Sequence, residues 1–128
     1  MTPNKITLHH SLTKDNRTVS WGAIRKYHKE LGWTDIGYHF GIEKIGETYE
    51  VLIGRMPTRQ GAHTSGRNQN NIGICFVGNY DLHAPPWDMF YKGINSVKWL
   101  MKLYKIPITE VYPHSAFSCK TCTGKAFG

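Results

Sequence analysis

The chain has 128 residues, 40% of them hydrophobic, which allows one packed core and excludes both a disordered chain and two full domains. Lys and Arg number 16 against 9 Asp and Glu, a formal net charge of +7. That balance favours polyanionic partners (nucleic acid, an anionic membrane, or a cell wall bearing phosphate and carboxylate groups) without choosing among them.

In chain order, Ile6-Thr7-Leu8-His9 alternates apolar and polar residues as a half-buried strand does. Ser20 is placed to cap a helix on which Trp21, Ile24, Tyr27, His28 and Leu31 recur at helical spacing up to Gly32. A second strand is predicted over residues 38–43, and a turn followed by a strand over residues 46–53. Between residues 54 and 71 the chain turns to Arg, Gln, Gly, Ser and Asn with few apolar residues. A loop of that length in a small domain points to function. Residues 72–78 form a nearly continuous apolar run, the pattern of a strand buried on both faces, with Cys75 inside it as a small core residue. Pro85-Pro86 opens a helix whose predicted apolar face is Trp87, Phe90, Ile94, Val97, Leu100, Met101 and Tyr104, ending before Pro107. The expected fold class is therefore α/β: a single domain over residues 1–128, with a sheet carrying helices.

Chemistry concentrates in His and Cys. Three cysteines, Cys75, Cys119 and Cys122, are too few for a disulfide framework. His9 ends the first strand, and Cys122 lies eight residues beyond His114. Zinc takes neutral imidazole and thiolate ligands, and catalytic sites combine three of them with a water, a set that His9, His114 and Cys122 can supply. With seven His in the chain, spacing alone does not single out that set. Cys119 and Cys122 also form a C-x-x-C, which is compatible with a redox pair or half of a structural zinc site.

Five segments, in order, resemble the zinc-dependent N-acetylmuramoyl-L-alanine amidases, the family of amidase-type phage endolysins and peptidoglycan recognition proteins. They are Leu8-His9-His10-Ser11, Trp33-Thr34-Asp35-Ile36-Gly37-Tyr38-His39-Phe40, Gly61-Ala62-His63-Thr64-Ser65-Gly66-Arg67-Asn68, the strand from Asn71 to Gly78, and His114 followed by Lys120-Thr121-Cys122-Thr123-Gly124. The resemblance implies a central mixed β-sheet flanked by helices. It also implies one Zn2+ per chain on His9, His114 and Cys122, and Tyr38 and Lys120 as catalytic groups. His63, His39 and Asn71 are implied near the substrate. Strand alternation agrees with His9 rather than His10 as the ligand, because His9 shares a face with Thr7 while His10 points away. Cys119, and Thr123 where a Pro is common, depart from the family pattern.

The expected activity is zinc-dependent hydrolysis of the amide between N-acetylmuramic acid and L-alanine in bacterial peptidoglycan, as a phage or prophage endolysin. Two rivals stand beside it: a non-catalytic peptidoglycan-binding domain, which typically lacks the zinc cysteine, and a nucleic-acid binder, for which no module is found. Met1 to Leu8 is short and polar and no apolar run approaches the roughly 20 residues of a spanning helix. The reading is thus of a monomer made in the host cytoplasm without a signal peptide, acting on the wall after release. His28 and His83 carry no motif and are expected at the surface or in helix packing.

Overall fold

The computed structural model describes residues 1–10, 20–77 and 86–113. Its elements are β1 (Lys5–His10), α1 (Trp21–Glu30), β2 (Phe40–Ile45), β3 (Thr48–Ile53), β4 (Asn71–Phe76), α2 (Trp87–Tyr104), a 3-10 turn (Ile108–Glu110) and β5 (Val111–Pro113). The strands form one mixed sheet in the order β3-β2-β4-β1-β5. β1 is parallel to β4 and β5, β2 is parallel to β4, and β3 pairs antiparallel with β2. This is the α/β class that the residue pattern predicted, with helices on the sheet. No helix among the described residues is long and apolar enough to cross a membrane.

β4 is buried at all six positions, as its apolar run required. Its two faces differ in kind. Ile72, Ile74 and Phe76 join Ile6, Phe40, Ile42, Met89, Val97, Leu100 and Ile106 in a core under α2. Cys75, on the other face, belongs to a second cluster with Trp21, Ile24, Ile36 and Val77 beneath α1. Because strand side chains alternate, that second face carries the small residues Gly73 and Cys75, opposite Thr7 and His9 of β1 in register. Small residues there leave room for something larger. A Cβ on Gly73 would lie 2.5 Å from the His63 ring, and one on Gly41 would lie 2.4 Å from the Trp21 ring.

α1 begins as predicted: the Ser20 hydroxyl accepts from the Ala23 amide at 3.0 Å. The Trp21 amide donates to the buried Glu43 carboxylate at 3.0 Å, which places an anion at the positive end of the helix and ties α1 to β2. The predicted apolar face is narrower than expected, since Trp21 and Ile24 are buried while Tyr27 and Leu31 are 58% and 50% exposed. α2 keeps Val97 and Leu100 of the expected face in the core, with Met101 and Tyr104 packed against it, and departs from it at its start. Met89, Gly93, Val97 and Leu100 point inward, whereas Trp87 is 72% exposed. Gly93 lets Phe76 reach the helix backbone, because a Cβ there would meet the phenyl ring at 2.2 Å.

Two strand boundaries differ from the sequence reading. β2 starts at Phe40, not at residue 38, because the Gly37 and Tyr38 carbonyls accept from the Ala62 and Arg55 amides of the following loop. β5 was not anticipated. Three residues are too few to show a period, and Pro113 lacks the N–H a longer ladder would use. β5 aligns Val111, Tyr112 and Pro113 with Ile6, Thr7 and Leu8, so the described chain stops beside the end of β1 that carries His9.

Candidate active site

The loop after β3 folds back over the face that Gly73 and Cys75 leave low. Its shape is held by side chains bonding to backbone. The Arg55 guanidinium donates to the Ile36 carbonyl at 2.9 Å and the Gln60 carbonyl at 2.9 Å. The Asn68 side-chain oxygen accepts from the amides of His63 and Thr64 at 2.9 and 2.8 Å, curling the chain into a tight turn. Asn71 accepts from the Thr7 hydroxyl at 2.8 Å and donates to the Arg67 carbonyl at 2.8 Å. It is fully buried and clamps the loop to β1.

That clamp sets His63 against the sheet. Its Nε2 lies 2.9 Å from the Asn71 carbonyl oxygen, and its Nδ1 lies 3.0 Å from His9 Nε2 and 2.9 Å from the Thr64 hydroxyl. The His9 and His63 rings meet edge-on with centroids 5.0 Å apart. His9 is 2% exposed and His63 is 8% exposed. Tyr38 flanks His9 on the other side, with centroids 5.2 Å apart. A cleft of about 470 Å³ opens over this group, with His28, Trp33, Tyr38, His63, Thr64 and Asn68 in its walls. A larger hollow of about 600 Å³ runs between Met1 and Arg59 but has neither imidazole nor thiol among the described residues of its lining.

The segment leading to Tyr38 is anchored from α1. Arg25 donates to the Asp35 carboxylate at 2.8 Å, and the same oxygen accepts from the Ile36 amide at 2.7 Å. The Gly37 amide donates to His28 Nδ1 at 2.9 Å, and the His28 ring packs on Trp33 with centroids 4.5 Å apart. His28 therefore serves in helix packing, one of the two roles expected for it, and also forms part of the cleft wall. The signal was there: Trp21, Ile24 and His28 lie on one helical face, and His28 follows the two buried residues at helical spacing.

Burial, together with the neighbouring Cys75 thiol, pushes the Tyr38 phenol well above its ordinary value of 10.0. The group stays protonated at neutral pH and acts as a donor rather than a base. Cys75 is itself pushed up to about 12 by burial, against the opposing bond from Tyr38. It is a free, fully buried thiol, in keeping with its reading as a core residue and not a nucleophile.

Two residues expected near the substrate, His39 and Asn71, lie buried in the structure. His39 is fully buried, its Nδ1 accepts from the Gly73 amide at 3.0 Å, and its Nε2 donates to the Arg59 carbonyl at 2.7 Å. Both ring nitrogens are committed to the backbone, so His39 bolts the loop to β4 and has no nitrogen left for a ligand. The Asn71 side chain bonds to Thr7 and Arg67 and acts as a clamp. Thr64 and Asn68, by contrast, were not singled out in the sequence and prove to shape the turn around His63. His10 is buried at 3% exposure beside Phe76 in register, consistent with a packing role.

His39 gives a pH prediction. Burial depresses its pKa below the ordinary 6.5, the bond to the Arg59 carbonyl opposes this, and the Arg55 charge adds to the depression. Burial, then Arg55, lowers His28 in the same way. The unfolded chain thus takes up protons first as pH falls, and stability present above 6.5 is lost as pH drops from 6.5 through the lower folded values. Urea midpoints of the metal-free protein are expected to fall between about pH 7.5 and about pH 5, with a shallower fall in His39→Gln. A flat profile would show that these imidazoles do not carry the linkage.

His114, Lys120 and Cys122, together with Cys119 and His83, lie outside the described residues. Among the described residues no three His, Cys, Asp or Glu side chains form a metal-binding group. Of the proposed ligand set, His9 is the member the structure describes.

Comparison with known proteins places this arrangement. Residues 1–125 match the family described as N-acetylmuramoyl-L-alanine amidase (Amidase_2). The chain is 44% identical to an endolysin of Enterobacteria phage T3 over 80 residues, 62% of this chain and 51% of that protein. It is 45% identical to an endolysin of Escherichia phage T7 over 76 residues, 59% of this chain and 48% of that protein. The chain thus spans about half the length of these curated relatives. In three dimensions it resembles the N-acetylmuramoyl-L-alanine amidase LysC from Clostridium intestinale, with a TM-score of 0.84 and 31% identity, covering 98% of this chain and 78% of that one. Drosophila peptidoglycan recognition protein SD shares the fold, with a TM-score of 0.80 at 21% identity over 98% of this chain and 78% of that one. With its mixed sheet, its imidazole-lined cleft and a match from residue 1 to residue 125, the chain belongs to the N-acetylmuramoyl-L-alanine amidase family.

Proposed function

We propose that the protein is a zinc-dependent N-acetylmuramoyl-L-alanine amidase that hydrolyses the amide between N-acetylmuramic acid and L-alanine in bacterial peptidoglycan, in the role of an endolysin. The observation that carries the reading is the placement of His9, the imidazole of the first motif, buried at the carboxyl end of β1 directly behind the cleft. Ligands in open α/β sheets gather at the carboxyl ends of parallel strands. β5 supports the rest of the set: it runs parallel to β1 and ends at Pro113 opposite Leu8.

The donor chemistry fits zinc, since imidazole nitrogens and thiolates are its ligands and a catalytic site takes three protein ligands. His9, His114 and Cys122 would hold the ion, which when bound supplies Lewis acidity toward a carbonyl and a water of lowered pKa. Tyr38, kept as a phenol by burial and bonded to the Cys75 thiol, is assigned the role of a donor toward the charge that develops in the cleft. Lys120 is assigned a positive charge toward the oxyanion, and the turn at His63 and Thr64 borders the substrate. The net charge of +7 assists retention on an anionic wall.

Mass spectrometry of products from purified sacculi tests the reading. Peptides beginning with L-alanine and intact glycan strands are expected. Disaccharide products would point to a glycosidase, and zinc-loaded protein that binds sacculi without releasing peptide would mark a recognition domain.

A further inference from the structure

His63 was assigned to the substrate side, yet its polar atoms face inward. Nε2 lies 2.9 Å from the Asn71 carbonyl oxygen, an atom that can only accept. Nε2 of His63 therefore carries the proton. In a neutral ring Nδ1 is then the acceptor, and this is the atom 3.0 Å from His9 Nε2. Two bare nitrogens cannot face each other at that distance, so the proton between them sits on His9 Nε2. The Thr64 hydroxyl, 2.9 Å from His63 Nδ1 and 3.4 Å from His9 Nε2, agrees with this polarity whether it donates to His63 or accepts from His9.

From this chain we infer that His63 is a positioning residue: the relay from the Asn71 carbonyl through His63 to His9 Nε2 fixes one His9 tautomer, with its lone pair on Nδ1 for the metal. A histidine ligand is oriented by what its other nitrogen bonds to, and losing such a partner typically weakens metal binding by about 10–100-fold. The relay is built into the backbone. Gly73 is the space His63 fills, the Asn68 side chain fixes the His63 amide, and the Asn71 clamp fixes the carbonyl at the far end. The use of the Nδ1 lone pair rests on the zinc reading, whereas the tautomer does not.

Nitrogen-15 NMR of the histidine rings in the metal-free protein reads the tautomer directly. The expected spectrum shows His9 protonated at Nε2, bare at Nδ1, and coupled to His63 Nδ1 across the hydrogen bond. Zinc addition is expected to move His9 Nδ1 and leave the Nε2 proton in place. His9 protonated at Nδ1, or His63 present as an imidazolium, would overturn the relay even if the protein proves to be an active amidase. Zinc affinity, measured by competition with a chromogenic chelator, supplies the second arm. His63→Phe is expected to weaken zinc about 10–100-fold. His63→Asn, whose amide oxygen can stand where Nδ1 stands, is expected to restore most of that loss. Equal losses in both variants, at equal thermal stability, would assign His63 to packing alone. If the wild type bound no zinc, the amidase reading would fail, while the coupling across the His9–His63 bond would still decide the relay.

Discussion

His9→Ala is expected to remove zinc from the protein and lower the release of peptide from sacculi by at least about 10³-fold. That is beyond the 10²–10³ typical of deleting one oxyanion donor, because the whole Lewis-acid centre is lost rather than one bond to it. Little of the loss should come from unfolding. His9 lies at the end of β1, outside both apolar clusters, and its ring bonds to His63 and packs on Tyr38. The check is to measure zinc content, hydrolysis rate and melting temperature on the same sample. Retained activity in a folded, zinc-free variant would remove the metal from the mechanism. Loss of all three together would make His9 structural.

The second large effect is expected far from any titrating group. A Cβ on Gly37 would lie 2.1 Å from the Ala62 carbonyl oxygen and 2.9 Å from its carbon, both backbone atoms. A flexible side chain could step aside; a carbonyl held in a turn cannot. Gly37→Ala must break the bond from the Ala62 amide to the Gly37 carbonyl, at 3.0 Å, or pull the Gly37 amide off His28. We expect a cost near the upper end of overpacking, about 3 kcal/mol. At roughly 4 °C per kcal/mol, this lowers the melting temperature by about 12 °C. Activity should fall as well, because Tyr38 is the next residue and Ala62 opens the His63 turn. A melting temperature within about 2 °C of wild type would mean that the loop yields more easily than its bonds suggest.

These two positions show how unevenly the site could be read from the residues. His9 was visible twice over, by strand alternation and by its motif, and the structure places it as expected on the face with Thr7. Gly37 was visible only as a letter in a motif. Its purpose depends on Ala62, 25 positions later, and such a contact has no local pattern. The same holds for His63. The resemblance placed it near the substrate, and it does line the cleft, but only the fold shows that Gly73 on β4 leaves the space its ring fills. His39 shows the opposite case: its motif places it next to Tyr38, while both its ring nitrogens bond to backbone groups of a loop and a strand.

Elements with many residues and one dominant period were legible: the capped start of α1, the span of α2, and β4 with its apolar run. The start of α2 was not. Val97, Leu100, Met101 and Tyr104 face or pack on the core as read, but Trp87 is exposed and Gly93, against which Phe76 packs, was not foreseen. β5 escaped because it is an edge strand of three residues, stabilised by its neighbour β1 and by nothing in its own pattern.

By itself, then, the chain's sequence determined the α/β class, the family, and the residue types from which a zinc site can be made, because period, capping and ordered motifs are local properties. Tertiary structure alone decided which imidazole faces which. It turned His39 into a bolt, set His63 behind the cleft with its Nδ1 on His9, and brought β5 to the end of β1. Each of those outcomes depends on a hydrogen-bond partner or a missing side chain more than ten residues away, and such pairings exist only once the sheet has closed.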